Sequence, residues 1–386
     1  LKSMPLKADA LAAKEEGVWR KYSTQEYIDT VNNLSYAFLN LGVKPGDKIG
    51  LITNNRPEWN FVDYACLQTG SISVPLYPTI SESDLTHVIK DAGITYFFVT
   101  DAKMYHKVKA CAGNLEIKEI YTIDRCEDLP CIKDLILKGK EQPKEVELEK
   151  IKASVKNTDL ATLIYTSGTT GNPKGVMLSH HNFISNIMAT YSLCDFKFEW
   201  RALSFLPLNH VYERMLSYLY ISLGISVYYA ENLEKIGDNL KEINPHIFVT
   251  VPRLLEKVYE KIVSKGSELT GIKKALFFWA LNLGLRFEQH KANGWWYEFQ
   301  LNLANKIIFS KWREALGGNI VVIASGGSAL QPRLARVFFA AKIKVLEGYG
   351  LTETSPVIAV NNFDDNNNKI GTVGPVISNV TLKFAE

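Results

Sequence analysis

The chain has 386 residues, 46% hydrophobic and 22% charged, with 44 basic against 41 acidic side chains and a formal net charge of +3. This is the composition of a globular protein with a sizeable core, and the length suits two or three structural units. The near-balanced charge without a basic stripe argues against a nucleic-acid partner, and the longest apolar-rich run, Ala275–Leu285, is well short of the roughly 20 residues of a membrane-crossing helix.

The predicted elements alternate. Ser23-Thr24-Gln25-Glu26 is a capping box that opens a helix to about Leu41, with Tyr27, Val31, Leu34 and Phe38 on its apolar face. A turn at Lys44–Asp47 leads into a strand over Ile49–Ile52. Pro57 then starts a helix reaching Gln68. A strand over Ile72–Leu76, a helix over Ser81–Asp91 and a strand over Tyr96–Val99 follow. Short apolar strands separated by helices predict βαβ units and a mainly parallel sheet. Residues 138–160, rich in lysine and glutamate, read as a solvated connector.

Alternation then resumes with a strand at Ala161–Ile164, a glycine loop and a helix over His180–Ser192. A strand at Ala202–Phe205 precedes a polar loop, Asn209–Arg214, and a helix, Met215–Leu223. Strand Ser226–Tyr229, helix Leu233–Ile243, strand Ile247–Thr250 and a helix after Pro252 come next. Residues 267–316 form a long helical region holding Trp279, Trp295, Trp296 and Trp312. Strand Ile320–Ala324, a helix from Gln331 and strand Lys344–Leu346 complete the pattern. No signal peptide is expected near Leu1, and the absent initiator Met suggests that the true N-terminus lies elsewhere. Five scattered cysteines argue for a reducing, cytoplasmic setting. Cys126 and Cys131 form at most half a zinc site.

The stretch Tyr165–Gly175 (YTSGTTGNPKG) carries the first chemical signal. Glycines let backbone N–H groups approach an anion, hydroxyls add donors, and Lys174 adds a point charge. The loop is expected at the carboxyl end of a parallel strand, between that strand and a helix, where α/β sheets hold ligands. It is not the common G-x-x-x-x-G-K-[ST] phosphate motif, because Pro173 precedes Lys174. A plain surface turn is the alternative reading.

This loop resembles the phosphate loop of the adenylate-forming superfamily, which includes acyl-CoA synthetases, nonribosomal adenylation domains and firefly luciferase. Three further stretches fit. GYGLTE, Gly348–Glu353, resembles the superfamily's YGxTE motif. SGGSAL, Ser325–Leu330, resembles its glycine segment lining adenine and the acyl chain. LPLNHVYER, Leu206–Arg214, resembles a segment of long-chain acyl-CoA synthetases. Each has a plainer reading too: a strand-end turn, a β–α turn, a structural histidine with a local Glu213–Arg214 ion pair.

The resemblance covers about Val18 to Phe384. It implies an α/β fold of two stacked α/β subdomains with mainly parallel sheets, residues 1–150 and 151–360. Residues 361–386 would begin a β-barrel subdomain, left incomplete, and the family's small C-terminal domain with its catalytic lysine would be missing from these residues. It implies a long-chain fatty acid–CoA ligase using ATP, Mg2+ and CoA. The alternatives are an adenylating enzyme for another acid or a carrier-protein acceptor, and a non-catalytic nucleotide- or lipid-binding module.

By the same resemblance, Thr166, Ser167, Gly168, Thr169, Thr170, Gly171 and Lys174 would clasp the β- and γ-phosphates. Gly326, Gly327, Ser328, Glu347, Gly348, Tyr349 and Gly350 would surround the nucleotide, with Tyr349 stacking on adenine. Thr352 would touch the α-phosphate and Glu353 would hold Mg2+. His210 would sit near the substrate carboxylate. Lys174, Thr352, Glu353 and His210 are the expected catalytic set. Phe277, Phe278, Trp279, Leu281 and Leu285 would line an acyl tunnel or simply pack between helices. A cytoplasmic enzyme is expected, with fatty acid, ATP and CoA as its partners and peripheral attachment at the inner membrane surface compatible with its substrate.

Overall fold

The computed structural model describes residues 6–166, 171–363 and 367–384. The chain forms two compact units. The first comprises residues 1–187 together with Pro207–Gly224 and Thr352–Pro356; the second holds Met188–Leu206, Ile225–Leu351 and Val357–Glu386.

The first unit opens with an antiparallel hairpin, β1 (Leu11–Glu15) and β2 (Val18–Tyr22). Its turn residues Glu16 and Gly17 both take positive φ, the geometry of the tightest hairpin turns. Sequence periodicity did not reveal this pair, because Val18–Tyr22 alternates poorly and is mostly exposed. Helix α1 (Thr24–Asn40) follows with the capping box formed: Ser23 Oγ accepts from Glu26 N–H and Glu26 Oε2 accepts from Ser23 N–H.

The sheet of this unit is built from β3 (Lys48–Ile52), β4 (Ile72–Leu76), β5 (Ile94–Val99), β6 (Glu119–Thr122), β7 (Leu160–Thr166) and β8 (Lys174–Ser179). Their order is β6-β5-β3-β4-β7-β8, parallel except for the β7–β8 pair. Helices α2 (Pro57–Thr69), α3 (Glu82–Ala92), α4 (Ala102–Ala112), α5 (Ile132–Glu141) and α6 (Glu145–Ser154) make the connections. Ile52, Val74, Leu85, Val88, Phe97, Val99 and Val108 are among the side chains closing one core against the sheet.

Two expectations are corrected here. The charged stretch 138–160, expected as a solvated connector, holds a helix: α6 forms within it, and the buried Leu148 docks this otherwise solvated helix. A division near residue 150 therefore does not separate the sheets, since β7 and β8 complete the first one. Helix α7 (His180–Thr190) follows β8.

The second unit carries β9 (Arg201–Ser204), β10 (Ser226–Tyr229), β11 (Ile247–Thr250), β12 (Val322–Ser325), β13 (Lys344–Gly350) and β14 (Val357–Val360). They run in the order β14-β13-β12-β11-β9-β10, parallel throughout except for β14 against β13. Between β9 and β10 the chain forms α8 (Val211–Leu223), which belongs to the first unit. The remaining helices are α9 (Ile236–Ile243), α10 (Pro252–Glu268), α11 (Gly271–Leu285), α12 (Gly294–Ala304), α13 (Ser310–Ala315) and α14 (Pro332–Ala340). No closed barrel forms among the described residues of 361–386.

Candidate active site

Tyr165–Gly175 does stand at the carboxyl end of β7, but the expected strand–loop–helix order is corrected. The loop turns back into β8, with Thr166 opposite Lys174 and Tyr165 opposite Gly175. Lys174 thus opens the second strand of a hairpin, and α7 comes only after that strand. Gly175 packs closely here: a Cβ would come to 3.0 Å from the Tyr165 ring, which would have to shift by a few tenths of an ångström. Tyr165 Oη in turn donates to Asp91, and the Pro173 carbonyl lies 3.0 Å from His87 Nε2, so both arms are tied to α3. Lys174 is exposed, and Gly171 adopts φ 111°. Ser167, Gly168, Thr169 and Thr170 lie outside the described residues.

The turn Thr352–Thr354 packs against β8 within the same unit, so the strand that begins at Lys174 and the Thr352–Glu353 pair come together. Thr352 is buried and Glu353 exposed. Among the described residues no three His, Cys, Asp or Glu side chains gather into a metal-binding group. An exposed single carboxylate such as Glu353 is the donor set Mg2+ uses when phosphate oxygens and water supply its other ligands.

His210 caps α8. The expected polar loop Asn209–Arg214 is corrected: helix begins at Val211, because the His210 ring satisfies an orphan amide, its Nδ1 accepting from Tyr212 N–H at 3.2 Å. Desolvation holds the imidazole below its ordinary pKa. With Nδ1 accepting, the neutral ring carries its proton on Nε2, the nitrogen that could donate to a carboxylate. The segment before it is pinned at both backbone and side chain. Asn55 Oδ1 accepts from Leu208 N–H at 2.9 Å, Asn209 Oδ1 accepts from Trp59 Nε1 at 2.9 Å, and Asn209 Nδ2 donates to the Leu76 carbonyl at 2.8 Å.

Arg214, expected beside Glu213 as a local pair, is fully buried and reaches much farther. Its guanidinium pairs with Asp63 on α2, and donates to Thr162 Oγ1 on β7 at 2.6 Å, Ser73 Oγ on β4 at 2.7 Å and Tyr218 Oη at 2.9 Å. Tyr218 Oη donates to the other Asp63 oxygen. Trp59, Phe183 and Tyr218 place their rings 5.3–5.7 Å from the guanidinium carbon. Burial disfavours this charge, yet Asp63 and Tyr218 raise its pKa above the ordinary value. The arrangement ties the His210 helix to the strand that ends in the phosphate loop. Sequence reasoning missed Asp63, Ser73, Thr162 and Tyr218. The available signal was a lone Asp in PEWNFVDYACL and a lone Arg heading the apolar run MLSYLYISL.

In the second unit, β12 and β13 pair so that Ser325 lies opposite Glu347. Glu347 is buried and accepts from Leu330 N–H at 3.2 Å, which folds SGGSAL back onto β13. Burial raises its pKa, and the amides of Leu330 and Gly371 counter that shift. Gly326 is buried, Gly327 and Ser328 are exposed, and Gly327 takes φ 84°, a conformation that favours glycine. Ser325 Oγ is buried with no hydrogen-bond partner among the described residues. Gly348 and Gly350 flank Tyr349, whose ring is 49% exposed at the end of β13 and so available for stacking. Phe277 packs on Gly266 of α10 and on the Trp312 ring, so its place is among the helices α10–α13.

Residues 3–386 match the family described as AMP-binding enzyme. The chain is 29% identical over 377 residues to long-chain-fatty-acid–CoA ligase FadD15 of Mycobacterium bovis, covering 96% of this chain and 62% of that protein. It is 31% identical over 382 residues to the peroxisomal long chain acyl-CoA synthetase 7 of Arabidopsis thaliana, covering 94% and 52%. The chain thus spans between half and two thirds of these relatives. Among solved structures, a long-chain-fatty-acid–CoA ligase from Archaeoglobus fulgidus superposes with a TM-score of 0.73 at 17% identity, covering 97% of this chain and 66% of that one. ATP-bound MatB from Rhodopseudomonas palustris gives 0.71 at 20% identity, covering 98% and 62%. With the glycine hairpin, the Thr352–Glu353 turn and these matches in agreement, the chain belongs to the AMP-binding, adenylate-forming enzyme family.

Proposed function

We propose that this chain is the nucleotide- and acid-binding part of an AMP-forming long-chain fatty acid–CoA ligase. The observation that carries the reading is the meeting of three elements in the first unit: the Tyr165–Gly175 hairpin, the Thr352–Glu353 turn packed on it, and His210 at the head of α8, tied through Arg214 to the hairpin's own strand. The curated relatives named as long-chain fatty acid–CoA ligases support the substrate class.

In this reading the fatty acid carboxylate is itself the nucleophile. It attacks the α-phosphorus of ATP, the bond to the β-phosphate bridge breaks, and pyrophosphate leaves. The thiol of CoA then attacks the acyl carbonyl and AMP departs. The chain supplies positioning and charge, the two terms that dominate phosphoryl chemistry of this kind. Lys174 and the loop amides hold the leaving pyrophosphate, and Thr352 orients the α-phosphate. His210 Nε2–H donates to the attacking carboxylate, and Tyr349 stacks on adenine. Glu353 would hold Mg2+, which would supply charge neutralisation at the phosphates.

The test is ATP–pyrophosphate exchange driven by acids from acetate to oleate, on the full-length gene product. Exchange that rises with chain length and vanishes in Lys174→Ala is expected. Exchange with a short or aromatic acid alone would replace the substrate class. A folded protein that binds ATP and exchanges with no acid would overturn catalysis.

A further inference from the structure

The hairpin that carries Lys174 lies at the edge of its sheet. β8 is the last strand in the order β6-β5-β3-β4-β7-β8, and Leu178, four residues past Lys174, is its one buried residue. Its own side-chain packing therefore gives the arm that begins at Lys174 little rigidity, and a loop that its ligand must order loses binding energy to that ordering. Helix α3 supplies what the strand lacks. His87 and Asp91 lie one turn apart, at i and i+4, on one face of this helix. His87 Nε2–H donates to the Pro173 carbonyl at 3.0 Å, and Asp91 Oδ2 accepts from Tyr165 Oη at 2.5 Å in the other arm. Another face of α3 is fixed, with Leu85, Val88, Ile89 and Ala92 in the core against the sheet. One anchored turn of helix thus holds both arms of the hairpin.

The chemistry of both bonds suits a lasting tie. Facing a carbonyl, His87 Nε2 must carry a proton, and it does so in the charged ring as well as in the matching neutral tautomer. Burial, and after it the Asp91 carboxylate, raises the Tyr165 phenol above its ordinary pKa, so the hydroxyl remains a donor. Asp91 is the penultimate residue of α3, where the helix dipole disfavours a carboxylate, and the phenol proton offsets that cost. The Tyr165 ring lies against Gly175, its partner across the ladder. Both neighbours of the exposed Lys174 are therefore held, Pro173 by His87 and Gly175 by the Asp91-bound Tyr165. We propose that His87 and Asp91 are positioning residues for Lys174, setting it toward the β- and γ-phosphates of ATP by fixing the residues on either side of it. The proposal deepens the ligase reading and rests on its assignment of Tyr165–Gly175 to the phosphates, but it needs no acid.

The experiment is isothermal titration calorimetry of the full-length gene product with Mg·ATP and, in parallel, with AMP, which lacks the phosphates that Lys174 would meet. His87→Ala should weaken Mg·ATP binding roughly fivefold, the worth of one hydrogen bond, and leave AMP binding unchanged. Tyr165→Phe, which keeps the Asp91 charge and removes only the bond to it, should do the same. His87→Gln, whose side-chain N–H can reach the same carbonyl, should return Mg·ATP affinity toward the parent's. In ATP–pyrophosphate exchange the loss should appear as a raised KM for ATP with the KM for the acid unaltered. A purely structural role would instead lower the melting temperature and weaken both nucleotides equally. Parent-like Mg·ATP affinity in His87→Ala and Tyr165→Phe would overturn the proposal, as would equal losses for ATP and AMP, or a His87→Gln no better than His87→Ala. A parent that binds Mg·ATP no tighter than AMP would overturn it too. A parent that binds Mg·ATP but exchanges with no acid would end the ligase reading instead, and the ATP–AMP comparison would still decide the role of α3.

Discussion

Arg214 shows how far one residue's role can lie from its local reading. In sequence, Glu213 and Arg214 look like neighbouring surface charges, worth at most about 1 kcal/mol. In the structure the guanidinium is sealed among Asp63, Ser73, Thr162 and Tyr218, with three aromatic rings around it. Removing one partner of a buried ion pair strands the other and costs about 3–5 kcal/mol. Arg214→Met should therefore destabilise by that amount, whereas Arg214→Met/Asp63→Leu should recover much of the loss. Urea unfolding of the two variants checks this; equal stability of single and double variants would remove the pairing as the cause. The motif made Arg214 visible as a conspicuous residue. Its partner 151 positions earlier was hidden because only the folded chain brings α2 against α8.

His210 makes a second residue-scale prediction. Its folded pKa is lowered by desolvation, and the capping form is the neutral ring. The cap's contribution is fully present above the unfolded value of about 6.5 and is lost as pH falls through the lowered folded value. Stability should decline as pH falls below about 6.5 more steeply in the parent than in His210→Asn, whose amide caps without titrating. Parallel thermal melts across that range decide it; indistinguishable slopes would mean the ring does not cap in solution.

At the scale of elements, the alternation of helices and parallel strands was legible because buried parallel strands read as short apolar runs and their boundaries carry Gly and Pro. What stayed hidden were elements whose reason lies in a partner. Strand β8 has Gly175 second and only one buried residue, Leu178, so nothing in its own composition announces a strand; the register against β7 makes it one. Likewise α6 has Leu148 as its one buried residue. The glycine motif and GYGLTE were recognisable by spacing, yet the turn direction after Pro173 was not.

Close packing of α5 on α1 gives a sharper element-scale test. A Cβ on Gly139 would lie 1.8 Å from the Asn33 carbonyl oxygen, where backbone cannot yield. A Cβ on Gly237, in α9, would meet nothing within 4 Å, and the residue has no positive φ. Gly-to-Ala in a helix ordinarily gains up to about 1 kcal/mol, while overpacking costs about 1–3 kcal/mol or more. Gly139→Ala should lower the unfolding free energy and Gly237→Ala should leave it equal or raise it slightly. The same substitution thus carries opposite signs, and chemical denaturation of both variants reads the difference. A tolerated Gly139→Ala would mean that the two helices separate easily.

For the whole molecule, the division of motifs between units sets the expected response to nucleotide. The hairpin carrying Lys174 and the turn carrying Thr352 and Glu353 are in the first unit, whereas SGGSAL, Glu347 and Tyr349 are in the second. Any ligand that binds only the native chain stabilises it, by about 2.7 kcal/mol at a hundredfold excess over Kd. For units of this size each kcal/mol moves Tm by roughly 2–4 °C, so saturating Mg·ATP should raise Tm by roughly 5–10 °C. Because Lys174 is exposed, Lys174→Ala should leave the ligand-free Tm nearly unchanged while removing most of the nucleotide-induced rise. Glu353→Ala should abolish the part that depends on Mg2+ and keep the part that ATP produces with EDTA present. A full Mg·ATP shift in Lys174→Ala would detach the glycine hairpin from the phosphates and leave the family resemblance without its principal contact.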